Sequence, residues 1–396
     1  MSDNVHVCLI SDHLLPNIIP VLMDKPEKVY AITTEKMKQQ GKLFKKFLKQ
    51  RGIHVHICEN FPEALLSEMV PLAREQAKVI FGNHPASKIV LNVTGGTKLM
   101  AMAFSIGFEG GENRKIETIY THTDHNVIEY LDNREEQRPI DSVLDVRGYL
   151  EARGFNVKSC ASENPTWSNK VNGREVLTRH LANTMPTVEE FVKRVNTAVQ
   201  GVPGQRGALN KMGELVAPVQ TVIADANGED LLDMFSDNGL IQRLSNDQVK
   251  FLSADAASYL SGGWIEEYVW HVLQPLDLYD IKCDVKGRWA AGVQHAPENQ
   301  FDCIAVHRNR MLFIECKTVS FGRGGTKGQP IINTIDALGN RAKGLFSTTL
   351  LFSALPLDDA TRDRAATYKI QVLEGSQITT LPEFVRKWMG NQPATN

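Results

Sequence analysis

The sequence lacks the marks of several protein classes. Its six cysteines include no Cys-x-x-Cys pair, so neither a structural zinc site nor a disulfide framework is expected. No apolar run is long enough to cross a bilayer, and the first residues lack the basic segment of a signal peptide. A formal net charge of −2 is too small for a protein that coats nucleic acid through bulk charge. We therefore expect a soluble, cytoplasmic protein without membrane association, and 396 residues leave room for two or three domains.

Short apolar strands alternate with amphipathic helices in the first third of the chain. The predicted strands are Val5–Ile10, Val29–Thr33, His54–Cys58, Lys88–Val93 and Glu117–Thr123, and the predicted helices lie near Asn17–Met23, Glu35–Arg51, Pro62–Phe81 and Thr97–Phe108. This alternation is typical of a doubly wound, Rossmann-like α/β domain with a parallel sheet. Ligands bind such sheets at the carboxyl ends of the strands.

A glycine-rich loop follows the fourth predicted strand and opens a helix. Its candidate binding residues are Thr94, Gly95, Gly96, Thr97 and Lys98. The two glycines let the backbone approach a ligand closely, and free amides at a helix N-terminus attract phosphate. The two hydroxyls and the ammonium add polar contacts. A Gly-Gly pair is also common in tight strand-to-helix turns, and the loop is not the G-x-G-x-x-G fingerprint of a dinucleotide site.

Two other strands end in polar residues at the same edge of the predicted sheet. Ser11, Asp12 and Asn17 follow the first strand, and Thr33 ends the second. The patterns strand–Ser-x-x-x-x-Pro-Asn and strand–Asn-x-Thr-Gly-Gly-Thr-Lys resemble the CARF domains of CRISPR-associated proteins. This resemblance implies that the polar residues bind a cyclic oligoadenylate, most often cyclic tetraadenylate, across a homodimer interface.

Three charged residues interrupt two apolar strands in the C-terminal part of the chain. Asp302 lies in the first strand, Glu315 and Lys317 lie in the second, and a polar turn at 307–310 joins them. Period-2 alternation puts Glu315 and Lys317 on one face, and hairpin pairing brings Asp302 beside them. Two carboxylates can hold a divalent cation while an ammonium orients water, as in metal-dependent phosphodiesterases. A solvated strand end with a surface ion pair would contain the same residue types.

The elements around this trio have a recognisable order. A helix with two carboxylates at Trp264–Leu273 comes first; a strand, the strand with Asp302, the strand with Glu315 and Lys317, a helix near Ile331–Leu345 and the strand Thr348–Ser353 follow. This order resembles the PD-(D/E)xK nuclease superfamily, although Phe301 stands where the family name has proline. The resemblance implies a restriction-endonuclease-like domain.

The same resemblance implies roles for individual residues. Glu267, Asp302, Glu315 and Lys317 would be catalytic, and Glu266 is the alternative helix carboxylate. Asp302, Glu315 and the backbone carbonyl of Cys316 would bind Mg²⁺ or Mn²⁺, with Glu267 a direct or water-mediated ligand. A glycine-rich loop at 321–328 with two cations follows and is either a grip for the substrate backbone or an ordinary surface loop.

Local charge around the trio differs from the average of the chain. Residues 281–345 contain ten basic and five acidic side chains, and two of the five acids are predicted metal ligands. A basic surface around an acidic metal site is what a phosphate-backbone substrate requires, although many ordinary domains have such imbalances.

The middle of the chain gives weaker signals. Val188–Val199 has the pattern of a helix, 201–207 is a Gly/Pro-rich linker or loop, and Val219–Ala224 with Asn227-Gly228 predicts a hairpin. We expect a small helical or winged-helix-like connector, with the alternative that it merely spaces the two outer domains. The predicted division is a CARF-like sensor at 1–140, the connector at 141–250 and a nuclease at 251–396.

The whole order resembles the CARF-fused ancillary nucleases of type III CRISPR systems. It implies a homodimer that a cyclic oligoadenylate activates for Mg²⁺- or Mn²⁺-dependent cleavage of DNA, RNA or both in antiviral defence. Three alternatives stay open: a ligand-sensing regulator with an inactive nuclease domain, a nuclease independent of any effector, and a sensor domain that itself degrades its activator.

Overall fold

Three β-sheets organise the protein, with seven, three and six strands. The computed structural model describes residues 2–109, 115–123, 125–132, 136–290, 297–319, 328–342 and 347–390. Within these ranges, no helix combines the length and the apolar character that a membrane span requires.

The seven-stranded sheet forms the N-terminal domain. Its elements are β1 (Ser2–Leu9), α1 (Leu15–Asp24), β2 (Pro26–Ile32), α2 (Lys38–Lys49), β3 (Val55–Cys58), α3 (Leu66–Asn83), β4 (Lys88–Asn92), α4 (Lys98–Phe108), β5 (Ile116–His122), β6 (Val127–Tyr130) and β7 (Gln137–Pro139). The strand order is β3-β2-β1-β4-β5-β6-β7. The first five strands are parallel, and β6 and β7 add antiparallel. The carboxyl ends of β1, β2, β4 and β5 therefore meet at one edge, as the alternation predicted.

The middle of the chain contributes to two different sheets. Its elements are α5 (Val146–Ala152), β8 (Phe155–Cys160), α6 (Pro165–Gly173), α7 (Glu175–Gln200), β9 (Val219–Thr221), α8 (Ala226–Asp237), β10 (Ile241–Arg243) and β11 (Gln248–Phe251). Strands β9, β10 and β11 form a small antiparallel sheet beside α7 and α8, an arrangement like a winged helix. Strand β8, although inside the predicted connector, pairs with the C-terminal sheet.

The predicted hairpin around Asn227-Gly228 is wrong. Strand β9 is followed by α8, and the hairpin of this region is formed by β10 and β11 instead. The cause is Asp225, whose side chain accepts a hydrogen bond of 2.9 Å from the amide of Gly228. This cap turns the Asn-Gly pair into the first turn of a helix.

The C-terminal domain is built on the six-stranded sheet. Its elements are α9 (Ala254–Ser258), α10 (Trp264–Leu273), β12 (Asp280–Trp289), β13 (Asn299–His307), β14 (Arg310–Lys317), α11 (Gly328–Ala342), β15 (Ser347–Ser353), α12 (Asp359–Thr367), β16 (Gln371–Glu374) and α13 (Leu381–Gly390). The strand order is β16-β15-β14-β13-β12-β8. The succession α10, β12, β13, β14, α11, β15 confirms the predicted order of elements.

One apolar cluster joins the N-terminal domain to this sheet. It contains Phe47 of α2, Tyr149 of α5, Phe155 of β8 and Phe301 of β13, all of them buried. The rings of Phe155 and Phe301 lie 5.2 Å apart in an edge-to-face arrangement. Helix α5 and strand β8 therefore pack the two domains together.

Candidate active site and sensor cleft

The hairpin β13–β14 brings the three predicted charged residues into one group. The Lys317 ammonium lies 2.6 Å from a Glu315 carboxylate oxygen and 3.6 Å from Asp302 Oδ2. The backbone amide of Cys316 donates a hydrogen bond of 2.8 Å to the same Asp302 oxygen. The Cys316 carbonyl, the predicted backbone ligand, accepts a hydrogen bond of 3.0 Å from Lys317. The three side chains that hairpin pairing predicted to converge therefore do so, and the Cys316 carbonyl lies beside Lys317.

Burial makes this group electrostatically unusual. Asp302 and Glu315 are only 8% and 9% exposed. Burial, followed by the charge of Asp302, raises the pKa of Glu315 to about 7, and burial also raises the pKa of Asp302. Burial alone would lower the pKa of Lys317, but the Asp302 and Glu315 carboxylates raise it above its usual value. The ammonium thus stays charged and holds together two carboxylates that repel each other.

The two helix carboxylates have different surroundings. Glu267 is buried and forms an ion pair with Arg174 of the segment before α7, and Arg174 also binds Asp255 at 2.9 Å. The pKa of Glu266, in contrast, is raised to about 8 by burial and then by the charges of Asp302 and Asp284. Glu266 therefore faces the charged group of the hairpin, whereas Glu267 serves a buried ion pair away from it.

Asp284 is a carboxylate of this group that the sequence did not reveal. It lies in β12 with a left-handed φ of 50°, and its charge contributes to the raised pKa values of Glu266 and Asp302. One of its oxygens accepts a hydrogen bond of 2.9 Å from Lys286, while the other is buried without a hydrogen-bond partner. Lys282, Asp284 and Lys286 alternate with apolar residues, a pattern that is also typical of an exposed strand face.

The donor set suits a divalent cation. Hard oxygen ligands are available on Asp302, Glu315, Glu266 and Asp284, and the last has a buried oxygen that no hydrogen bond satisfies. Within the described ranges no three His, Cys, Asp or Glu side chains are already arranged as a metal centre. The Lys317 ammonium lies between the two hairpin carboxylates.

The residue after Lys317 ties the site to the helices behind it. The Thr318 hydroxyl donates a hydrogen bond of 3.0 Å to the Ser261 carbonyl, and Asn196 of α7 donates one of 2.7 Å to the Thr318 carbonyl. A Cβ on Gly262 would lie 2.5 Å from the Thr318 hydroxyl oxygen, so only glycine allows this approach. The end of β14 is therefore held by α7 and by the turn before α10.

At the carboxyl edge of the N-terminal sheet, the glycine-rich loop packs against β1. A Cβ on Gly95 would lie 1.9 Å from the Leu9 carbonyl oxygen, and Gly96 has a left-handed φ of 73°. Glycine is required at both positions for these reasons. Thr97 caps α4, since its hydroxyl accepts a hydrogen bond of 3.2 Å from the Met100 amide.

Buried amide side chains hold the loops of this edge in place. Asn92 donates a hydrogen bond of 2.9 Å to the Pro16 carbonyl and accepts one of 2.6 Å from the Thr94 hydroxyl. Asn17 donates one of 2.7 Å to the Leu9 carbonyl. The loops after β1 and β4 therefore lie side by side. Asn92, which is not among the binding residues predicted from the sequence, is the residue that joins them.

The predicted binding residues divide into supporting and accessible ones. Asn17 and Thr33 are fully buried, and the Thr33 hydroxyl donates to the Cys58 carbonyl at 3.3 Å. Asp12, Thr97 and Lys98 are exposed, whereas Ser11, Thr94 and Gly96 are half-buried and Gly95 is buried. A ligand can therefore reach only some of the predicted binding residues. The predicted substrate-gripping loop at 321–328 lies almost entirely outside the described residues.

Two family comparisons match the two domains. Residues 5–149 match the family described as "Card1 CARF domain", and residues 253–392 match "Card1-like, endonuclease domain". The chain belongs to the CARF-domain nucleases of the Card1 type. The predicted CARF and endonuclease domains are confirmed. The carboxylates with raised pKa values in this Card1-type nuclease, Glu266, Glu267, Asp302 and Glu315, lie within its endonuclease domain.

Solved structures resemble this Card1-type nuclease over almost its whole length. Can2 from Sulfobacillus thermosulfidooxidans, in complex with cyclic tetra-adenylate, is 25% identical with a TM-score of 0.77, covering 98% of this chain and 100% of that one. Protein VC1899 from Vibrio cholerae, at 15% identity and a TM-score of 0.80, shares the fold over 98% of this chain and 100% of its own. A comparison with curated protein sequences gives no match.

A third structure shares the fold with a longer protein. It is a type III CRISPR defence DNA nuclease activated by cyclic oligoadenylate, 14% identical with a TM-score of 0.56. The match covers 100% of this chain and 53% of that one. At this identity the likeness concerns the fold alone.

Proposed function

We propose that this protein is a nuclease that a cyclic oligoadenylate switches on and that cleaves DNA, RNA or both with a divalent cation, in type III CRISPR antiviral defence. The observation that carries the proposal is the buried group of Asp302, Glu315 and Lys317 within an endonuclease domain, on the same chain as a CARF domain. The relative solved with cyclic tetra-adenylate supports that ring as the activator.

The residues of the hairpin have distinct tasks in this proposal. Asp302, Glu315 and the Cys316 carbonyl would hold Mg²⁺ or Mn²⁺. Glu266 would replace Glu267 as the helix carboxylate, because Glu267 is engaged by Arg174. When bound, the cation supplies Lewis-acid chemistry, lowering the pKa of an attacking water and polarising a phosphate oxygen. Lys317 orients that water and stabilises the negative charge that develops at phosphorus.

The sensor edge offers its accessible groups to a phosphate-rich ring. The backbone at Gly96, the exposed Thr97 and Lys98 at the start of α4, and the half-buried Ser11 face the cleft edge. Amides at the N-terminus of α4 favour phosphate. Asp12 repels it, so we place the phosphates nearer to Lys98 than to Asp12. Asn17, Thr33 and Thr94 act indirectly by holding the loops in position.

The placement of α4 supports a homodimer. This helix begins at the binding loop and exposes Leu99 and Met102 by 44% and 50%. Pairing of two copies through this face covers both apolar side chains and sets two Lys98 residues around one ring. A ring with several phosphates can then stabilise the active form through its higher affinity for that form; raising an active population from about 1% to about 99% takes about 5.5 kcal/mol.

A cleavage assay with matched variants tests the proposal. Purified protein is incubated with supercoiled plasmid, single-stranded DNA and single-stranded RNA in Mg²⁺ or Mn²⁺, with and without cyclic tetra-adenylate, beside Glu315→Ala and Lys317→Ala. We expect cleavage that needs the ring, the cation and both side chains, while both variants keep ring binding. Size measurement by light scattering reports the dimer.

Other outcomes decide between the remaining functions. Cleavage that ignores every ring size would keep the nuclease and reject the sensor. Ring binding without cleavage under any condition would favour a regulator with a silent nuclease domain. Full turnover by Lys317→Ala would reject the assigned chemistry, because no other ammonium of the described hairpin lies between the two carboxylates.

A further inference from the structure

The segment between α7 and β9 is an ordered loop, although its composition also fitted a linker. Val202 and Gln205 exchange two backbone hydrogen bonds of 3.1 and 2.8 Å around a Pro-Gly turn. Gly204 at the turn has a φ of 88°, as the third residue of a type II turn requires. The base of the loop is closed tightly, since a Cβ on Gly207 would lie 2.4 Å from the Gly201 nitrogen.

A second turn extends the loop. The Asn210 side-chain oxygen accepts hydrogen bonds of 2.9 and 3.0 Å from the amides of Met212 and Glu214. This turn presents Lys211, which is exposed, at its tip. The loop is anchored to α7 by hydrogen bonds from Ala208 to Ala198 and from Leu209 to Val199. Its side chains therefore extend from a backbone that is already ordered, which reduces the entropy cost of binding.

This loop forms one wall of a groove that extends to Ser261, in the turn before α10. The groove has a volume of about 750 Å³, and its lining includes Gln200, Arg206, Lys211 and Ser261. Ser261 is the residue whose carbonyl binds Thr318, directly after Lys317. The groove therefore begins at the backbone that supports the catalytic strand and continues along the connector.

The charges of the groove suit a polyanion. Within the described part of the chain, the side chains of Arg206 and Lys211 form no ion pair or hydrogen bond, and both are exposed. Glu214, the acid in the same turn, accepts a hydrogen bond of 2.7 Å from Asn210. Two free cations on an ordered wall beside a carboxylate site resemble the arrangement needed to hold a phosphodiester chain while its neighbouring phosphate reacts.

We propose that this groove binds the backbone of the nucleic-acid substrate, with Arg206 and Lys211 contacting phosphates that flank the scissile one. The inference rests on the proposed nuclease function and adds the surface that holds the strand. It gives the connector a direct role in substrate binding. Both cations contact the sugar-phosphate backbone, so they serve DNA and RNA strands alike.

The test measures strand binding apart from cleavage. Full-length protein in EDTA is titrated into fluorescein-labelled oligothymidylate or oligouridylate over a range of salt concentrations, with and without cyclic tetra-adenylate. The variant is Arg206→Ala/Lys211→Ala, with Arg206→Gln/Lys211→Gln as a second version. The matched control, Lys45→Ala/Lys250→Ala, removes the same charge from exposed positions that do not line the groove.

We expect the groove variants to bind both strands about 25-fold more weakly at about 0.1 M salt, with a log–log salt dependence shallower by about 1.4, because each phosphate contact on a single strand contributes about 0.7. The control should bind like the wild type. KM for cleavage should rise with kcat little changed. If the variants lost affinity for oligothymidylate alone, the groove would still be a substrate-binding site, but one for DNA strands only.

Unchanged affinity and salt dependence in both variants would show that the groove does not bind the substrate strand. If ring-stimulated cleavage continued in those variants, the proposed nuclease function would still stand. Conversely, groove-dependent binding by a wild-type protein that never cleaves would retain the groove and reject the nuclease. The two failures are therefore distinguishable in one set of samples.

Discussion

Asn309, at the turn between β13 and β14, holds the backbone of Leu144. Its side-chain oxygen accepts hydrogen bonds of 3.1 Å from Leu144 and 3.0 Å from Val143, and its amide donates one of 2.7 Å to the Asp141 carbonyl. Asn309 is 4% exposed and has a left-handed φ of 56°, which asparagine tolerates well. The chain that leaves the sensor sheet is thereby bonded to the hairpin that carries Asp302, Glu315 and Lys317, the proposed catalytic residues.

Asn309→Ala should weaken the communication between the two domains. Loss of three hydrogen bonds at a buried site is expected to lower the free energy of unfolding by about 1–3 kcal/mol and to reduce the ratio of ring-stimulated to unstimulated cleavage. Turnover with and without cyclic tetra-adenylate measures that ratio. Asp225→Ala, which removes the cap of α8 at a cost of about 1 kcal/mol, controls for general destabilisation. An unaltered ratio in Asn309→Ala would show that the signal takes another route.

Glu266 and Glu267 should respond to substitution in opposite ways. Glu266→Gln is expected to lower kcat by about 100-fold, because it removes a carboxylate from the cation-binding group. Glu267→Ala should leave kcat of the folded enzyme within a few-fold but lower the free energy of unfolding by about 1–3 kcal/mol, since Arg174 loses its buried partner and keeps only its ion pair with Asp255. Turnover and thermal melting distinguish the two. A large fall in kcat for Glu267→Ala with little change for Glu266→Gln would show that Glu267 is the catalytic carboxylate of the helix.

Without metal, the active site should destabilise the protein as pH rises. The pKa values of Glu315 and Glu266 are raised to about 7 and about 8, above the ordinary value of 4.5 that they regain on unfolding. Their stabilising contribution is therefore complete below about pH 4.5 and is lost as pH rises to about 8. In EDTA at pH 8, the Glu266→Gln variant should have a free energy of unfolding higher than that of the wild type by on the order of 1–2 kcal/mol. Melting curves at pH 6 and pH 8 measure this, and Mg²⁺ or Mn²⁺ should restore the wild type. Equal stability of both proteins at the two pH values would contradict it.

Lys98→Ala should weaken ring binding while leaving the fold intact. The side chain is exposed at the first position of α4, so its loss removes a phosphate contact and no packing. We expect affinity for cyclic tetra-adenylate to fall by about 10- to 100-fold, with half-maximal activation shifted equally. Isothermal titration measures the affinity. Lys45→Ala on the exposed face of α2 is the matched control, and identical affinities for the two variants would exclude Lys98 from the site.

Gly262→Ala should impair chemistry without altering substrate affinity. The added Cβ would lie 2.5 Å from the Thr318 hydroxyl, so Thr318 and the adjacent Lys317 must shift. Misplacement of the ammonium is expected to lower kcat by about tenfold or more, with KM little changed. The double variant Gly262→Ala/Thr318→Ala removes the clash and should recover part of kcat. No recovery would place the defect elsewhere in the turn.

The local patterns were sufficient for the hairpin and for the alternating sheet. The apolar runs around Asp302 and Glu315 are close in sequence, and a short turn leaves one way to pair them. The glycine-rich loop could likewise be predicted from the sequence. Gly95 is required by the lack of space for a side chain, and Gly96 by its left-handed φ. These are short-range constraints, which sequence spacing records directly.

Other features depended on residues far apart in the chain. Glu266 and Glu267 are adjacent on an apolar helix and differ by about 100° in direction, so their pattern does not tell which one faces the site. Arg174, which is 93 positions from Glu267, decides it.

The sequence by itself determined the two domains, their order and the trio at the centre of the nuclease, since each depends on periodicity and short turns. Only the tertiary structure decided that the charges of Glu266 and Asp284 act on that trio, that Asn309 holds the exit of the sensor sheet, and that an ordered loop of the connector shares a groove with Ser261, whose carbonyl binds Thr318 beside Lys317. The physical reason is that these arrangements depend on packing and buried charge pairs between residues that are far apart in the sequence. Local sequence patterns do not record such contacts.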